Sequence, residues 1–286
     1  MHVRCKLEWG LGLLLWLCIV STPPVSPTAN AKVLVVNVIS VGHGDAILIG
    51  FPSGETMLVD GGRALAGDQV VDYITESGCT RIDYMVLTHS HDDHIGGLMT
   101  VVDNFKVGEL WMSDYAELTP AYLDFASKVE KEAIPITRVA SGDTFLIGGV
   151  TVAVLNPPRG SSILQLGGSN GASIVLRLEY GATSILLAGD IDSDRDRELA
   201  ARYGDRLHST ALKCAHHGSD ISSSAEFLNA VQPVVAIVST GPSQYGYPSR
   251  KTMEWIERSV PHVYRTDQDG TIVVIMDRTE ITVETQ

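Results

Sequence analysis

Three histidines and two aspartates fall within six consecutive residues of the stretch "LTHSHDDHIGG", Leu87 to Gly97. His89, His91, Asp93 and His94 make the pattern H-x-H-x-D-H. Imidazole nitrogen and carboxylate oxygen together suit zinc, manganese or iron. His89 and His91 are two apart, so an extended or turning backbone can aim both at one ion. Asp93 and His94 are adjacent and can serve a second ion close by. Gly96 and Gly97 let the chain turn tightly after the cluster.

Two later segments carry the same residue types. Asp190 ends the apolar run "TSILLAG". A carboxylate there can bridge two cations, and it can also cap the helix expected from "DSDRDREL". His216 and His217 end the run "STALKCA". One is read as the last metal ligand and the other as a proton shuttle or phosphate contact. Spacing alone does not say which; the assignment taken is His216 as ligand and His217 as catalytic partner.

The elements that must position these residues are short and β-branched. "KVLVVNVI", "DAILIGF" and "TMLVD" read as consecutive strands separated by turn material. "DQVVDYITESG" has helical spacing, and "IDYMVLT" is a nearly continuous apolar strand that runs into the histidine cluster. "GGLMTVVDNF" restarts as a helix, "VGELWMS" is a strand, "PAYLDFASKVEKEA" a helix and "VTVAVLNPP" a strand. The second half repeats the mix. "SIVLRLEYG" and "TSILLAGD" form a hairpin, followed by a helix at "SDRDRELAARYG", which has acidic residues first and arginines later. Strand "STALKCA", helix "SAEFLNAV", strand "VVAIVST", helix "RKTMEWIERS" and a last pair, "TIVVIMD" with "EITVET", complete it. Strands alternating with helices in two similar halves predict two packed sheets with helices outside.

The chain has 286 residues, 44% of them hydrophobic, enough for one well-packed domain. Its first 31 residues read as a secretory signal: a basic start at Arg4 and Lys6, the apolar run "LGLLLWLCIV", and a small-x-small site at Ala29 and Ala31. The expected mature domain covers residues 32–286, lies outside the cytoplasm and keeps no membrane insertion. Ten apolar residues are too few for a comfortable span. Cys79 and Cys214 remain in that domain, and two cysteines give no spacing pattern to test for a disulfide. Net charge is −13 overall; the leader holds Arg4, Lys6 and Glu8, a net +1, so the remainder carries −14. Such a balance disfavours capture of nucleic acid by its backbone, except at a local basic patch. Oligomeric state is not readable.

The motifs resemble those of metallo-β-lactamase superfamily hydrolases, most closely the subgroup typified by the hydrolase domain of the competence protein ComEC. "VGHGDAILI" resembles that subgroup's V-G-Q-G-D-A opening, and "LVDGG" supplies Asp60, which in the superfamily supports the metal loop. "SNGASIVLRLEYG" resembles its N-x-x-S strand through Asn170 and Ser173, "KCAHHGS" adds Ser219, and "VYRTDQDGTIVV" resembles its closing strands. The resemblance implies a four-layer αβ/βα sandwich, α/β in class, with two divalent metal ions. It implies metal ligands at His89, His91, Asp93, His94, Asp190 and His216, catalytic roles for Asp93, His217 and Tyr247, and substrate contacts at Asn170, Ser173 and Ser219. Many members place a further ligating histidine near Asn170 and Ser173. Its absence here keeps manganese beside zinc, the favoured metal. His43 replaces the usual glutamine, Asp220 a common lysine, and Tyr247 a usual histidine.

The function this implies is a secreted metal-dependent hydrolase of a phosphodiester, nuclease-like in type, using a metal-bridged hydroxide. Hydrolysis of a lactam, lactone or other small ester or amide ring is the alternative. A non-catalytic, metal-stabilised module of a DNA-uptake or envelope complex is the third.

Overall fold

A computed structural model describes residues 32–286; the leader expected over residues 1–31 lies outside the described residues. The first sheet begins with β1 (Leu34–Val38), β2 (Ile47–Gly50) and β3 (Thr56–Val59). Helix α1 (Gly67–Glu76) leads into β4 (Arg81–Leu87), whose end carries the histidine cluster. A single turn, α2 (Asp92–Ile95), and α3 (Leu98–Asn104) follow, then β5 (Lys106–Met112), α4 (Pro120–Lys131) and β6 (Ile136–Arg138).

The second sheet holds β7 (Thr144–Ile147), β8 (Val150–Asn156), β9 (Val175–Tyr180), β10 (Thr183–Leu187), β11 (Ala211–Lys213), β12 (Val235–Val238) and β13 (His262–Arg265). Helices α5 (Ser193–Tyr203), α6 (Ala225–Val231) and α7 (Arg250–Ser259) connect its parallel strands. After a one-turn helix, α8 (Thr266–Asp269), the chain returns to the first sheet through β14 (Ile272–Met276) and β15 (Ile281–Thr285).

The eight-stranded sheet runs β15-β14-β1-β2-β3-β4-β5-β6 and the seven-stranded sheet β13-β12-β11-β10-β9-β8-β7. The first sheet has four antiparallel pairings and three parallel ones, the second three of each, and helical crossovers join the parallel strands. The four-layer sandwich expected from the motifs is the fold observed. Between the sheets lies an apolar layer that includes Val36, Ile49, Val86, Trp111, Val154, Leu176, Ile185 and Ile237. A second core packs α1, α3 and α4 on the outer face of the first sheet, and a third packs α5, α6 and α7 on the other. Strands covered on both faces explain the unbroken apolar runs in the sequence.

Strands β6 and β7 had no counterpart in the sequence reading. Both are edge strands of three or four residues with exposed positions, so they lack the apolar run by which the others were recognised. Cys79 and Cys214 are free thiols, both buried. Burial pushes the Cys214 thiol up to about 12, which leaves it a core residue rather than a reactive one. No helix among the described residues is long and apolar enough to cross a membrane.

Candidate metal centre

The candidate ligands converge because strand ends and glycine contacts bring five loops to one edge of the sandwich. Asp60 follows β3, His89 follows β4, Asp190 follows β10, His217 follows β11, and His43 lies in the turn before β2. The loops at 60–62 and 94–97 are laced by Gly61 N donating to His94 O at 2.7 Å and Gly97 N donating to Gly62 O at 3.0 Å. A Cβ on Gly97 would lie 1.9 Å from Gly61 O, so glycine is required for that approach. Gly44, at φ +132°, is required in the same way: a Cβ there would lie 2.3 Å from Asp93 O.

Each of three histidines is held at one ring nitrogen and left free at the other. His94 Nδ1 lies 2.7 Å from Asp60 Oδ2, while Thr88 binds the same carboxylate with N–H and hydroxyl at 2.8 and 2.6 Å. Nδ1 of His217 donates to Ser239 O at 2.9 Å. His89 Nδ1 meets Thr88 Oγ1 at 3.1 Å. The Nε2 atoms of His89, His94 and His217 are all buried without a hydrogen-bond partner. They lie 3.9, 3.2 and 3.3 Å from Asp190 Oδ2, which stands between them. Holding the outer nitrogen fixes tautomer and ring direction, as supporting partners of metal-ligating histidines do.

Four overlapping groups have ligating atoms close enough for one ion; among them are His89 with His94 and Asp190, His43 with Asp93 and His217, and Asp45 with Asp60 and His94. Asp190 and His217 also share a group with Asp45. These orphaned, converging nitrogens and carboxylates fit a pair of divalent cations, with Asp190 placed to serve both.

Electrostatics agree with that fit. Burial drives His89 well below the ordinary imidazole value, so it stays a neutral donor. For His94, burial acts downward, but Asp190 and Asp60 outweigh it and hold the ring well above its usual value. His217 is raised for the same reason, burial being overcome by Asp190 and Asp45. Burial opposes ionisation of Asp93, yet the His43 hydrogen bond and the charges of His94 and His217 keep it far below the carboxylate range. The positive charge these carboxylates attract is what a divalent cation brings.

Several assignments change. His216 was expected as ligand and His217 as catalytic partner; the structure places the His217 ring in the carboxylate cluster and the His216 ring outside it. Both residues adopt left-handed backbone, φ +50° and +51°, which turns their rings apart to 6.3 Å and a near-perpendicular angle. His217 points into the carboxylates, whereas His216 Nε2 lies 3.4 Å from Asn170 Nδ2 at the pocket wall. His94 groups with His89, and not with Asp93 as adjacency suggested, because the turn of α2 sends neighbouring side chains in different directions. His91 stacks edge-on at 4.7 Å from His89, half-buried, outside the close groups.

Ser173 and Ser219, expected as substrate contacts, are fully buried. Ser173 Oγ accepts from Asp190 N at 3.1 Å and so sets the carboxylate's backbone. The Ser219 carbonyl is held by Thr252 Oγ1 at 2.8 Å.

Three buried residues escaped the sequence reading as members of the site. His43, noted only as a departure from glutamine, places Nε2 3.1 Å from Asp93. Asp45 and Lys213 form an ion pair beneath the centre, 1% and 0% exposed. A lysine inside the apolar run "STALKCA" was the available signal.

The centre opens into a cavity of about 820 Å³. Asn170, His216, Tyr245, Tyr247 and Arg63 are among the residues that line it. Tyr247 is stacked on Tyr245 at 5.7 Å and lies 5.4 Å from His216.

A model of the metallo-β-lactamase superfamily matches residues 39–241. The chain belongs to that superfamily. It is 29% identical over 255 residues to ComE operon protein 3 of Bacillus subtilis, covering 83% of this chain and 32% of that protein. It is 28% identical over 267 residues to Competence protein ComA of Neisseria gonorrhoeae, covering 92% and 36%. This superfamily member therefore spans about a third of the length of those relatives. The solved fold of YhfI, a metallo-β-lactamase fold protein from Bacillus subtilis, is similar at a TM-score of 0.54 and 11% identity, covering 88% of this chain and all (100%) of that one. CmlA of Streptomyces venezuelae, a diiron β-hydroxylase, matches at 0.54 and 15%, covering 85% and 54%. At such identities the likeness is one of fold.

Proposed function

We propose that the protein is a metal-dependent phosphodiesterase that acts outside the cytoplasm after loss of its leader. The observation that carries the reading is the convergence of three unpartnered Nε2 atoms on Asp190 at the floor of an open cavity. His89, His94 and Asp190 would hold one divalent ion, and His43, Asp93, His217 and the shared Asp190 the other. When bound, the ions supply Lewis-acid activation of water and of the attacked group.

The chain's own residues do the rest. His43 fixes the Asp93 carboxylate, which is half-buried at the cavity floor. Arg63, which enters no ion pair among the described residues, offers the cavity a cation for a phosphoryl oxygen. Tyr247 and His216 stand at the wall where a departing oxygen would need a proton. Tyr245 and Tyr247 present ring faces to a flat leaving group. Similarity to competence proteins over the same region supports a phosphodiester substrate.

A net charge of −13 favours the second reading, a small neutral lactone or lactam. Elemental analysis for zinc, manganese and iron, with turnover of bis-p-nitrophenyl phosphate and nitrocefin compared side by side, tests both. Turnover of the phosphodiester with close to two ions per chain is expected; turnover of nitrocefin alone would reverse the choice.

A further inference from the structure

We propose that a second cleft, away from the metal centre, binds a nucleoside phosphate. It has a volume of about 360 Å³ and lies between α5, α6 and α7. Lys251, Trp255 and Arg258 line it from α7. Their spacing of four and then three residues puts them on one face of that helix. Arg197 of α5 adds a third cation.

Several cations of this acidic chain enter no ion pair among the described residues, Arg63 included, but Lys251 and Arg258 share one cleft, where Arg197 is already paired with Glu226 at 3.4 Å. On α7, Arg250 pairs with Glu254 at 2.8 Å, while neither Lys251 nor Arg258 enters an ion pair among the described residues. Two cations left open beside an aromatic face can receive a phosphate and the flat ring attached to it. Trp255 is 37% exposed, although an indole is ordinarily well covered. Asp220 and Glu254 also line the cleft and limit the anionic charge it would accept, which favours a monoester over a polyphosphate.

Ser223, which also lines the cleft, carries an independent sign of a ligand. Ser223 is 2% exposed, yet its Oγ has no hydrogen-bond partner. It is held at φ +58°, a left-handed backbone setting. Its neighbours are fully used: Ser222 Oγ donates to Ala215 O at 3.0 Å, and Ser224 hydrogen-bonds Asp196. An orphaned hydroxyl at the wall of a cationic, aromatic cleft has the donor chemistry that a phosphate oxygen needs. The proposal stands whether or not the metal centre hydrolyses phosphodiesters.

Titration with AMP, followed by tryptophan emission, is the test. Trp255 and Trp111 are the tryptophans among the described residues, and Trp111 is 1% exposed between the sheets. A saturable change in emission is expected, lost in Trp255→Phe. The Lys251→Ala/Arg258→Ala pair should weaken AMP roughly ten-fold or more, and Ser223→Ala several-fold. Both are expected to leave metal content unchanged, which separates this site from the metal centre. Inorganic phosphate should compete, and adenosine should bind more weakly than AMP. Absence of a saturable signal, equal affinity for adenosine and AMP, or a signal indifferent to loss of both cations would overturn the proposal.

Discussion

Lys213 Nζ donates to the Asp45 carboxylate in a pair that water does not reach, directly under the metal centre. The same carboxylate lies 3.6 Å from His217 Nδ1, so one buried cation balances an acid that also faces a histidine of the cluster. Removing either partner leaves a lone buried charge. Lys213→Met is expected to lower stability by about 3–5 kcal/mol. The double variant Lys213→Met/Asp45→Asn should cost clearly less than the two single changes together. Denaturant melts of the four proteins measure this, and additive losses would show that the two residues do not act as a pair.

Metal affinity should follow the geometry at the histidine pair and not its order in the chain. His217→Ala and His89→Ala are each expected to weaken metal binding by roughly ten-fold or more. His216→Ala should bind nearly as wild type, because its ring stands outside all four groups. Chelator competition reads the affinities. Equal losses at His216 and His217 would return the ligand assignment to an open question.

Asp93→Asn keeps size and removes charge. On bis-p-nitrophenyl phosphate, kcat is expected to fall roughly 100-fold or more with the fold intact. Tyr247→Phe should slow substrates with poor leaving groups more than nitrophenyl esters, since nitrophenolate departs without a proton. Steady-state kinetics on a leaving-group series decide this; a uniform effect across the series would remove Tyr247 from proton transfer.

Asp196 offers a pH test remote from the metal. Burial raises its carboxyl to about 6 in the folded protein, against 3.8 for the free group, while both oxygens are tied to Ser224 at the start of α6. The folded state thus binds the proton more tightly than the unfolded chain. Its contribution favours folding at low pH and is lost as pH rises through about 6. From the size of the shift, the loss is about 3 kcal/mol. Measured as the difference between Asp196→Asn and wild type, relative stability of the variant should increase between pH 4 and pH 7 by an amount of that order. A pH-independent difference would refute it.

Alternation of apolar strands and amphipathic helices determined the two-sheet architecture, because strands covered on both faces must be apolar throughout. The H-x-H-x-D-H run after β4, Asp190 after β10 and the histidine pair after β11 were likewise legible, since ligand-type side chains at strand ends stand out locally. Which atoms meet was not. His216 and His217 are chemically alike and adjacent; only their left-handed backbone, held by His216 N donating to Gly189 O at 3.0 Å and by Ser219 N donating to His216 O at 2.8 Å, selects one for the centre. His43 reaches Asp93 across fifty residues, and Lys213 reaches Asp45 across 168, through the closure of the two sheets. Such pairings depend on long-range packing, and no local periodicity records them.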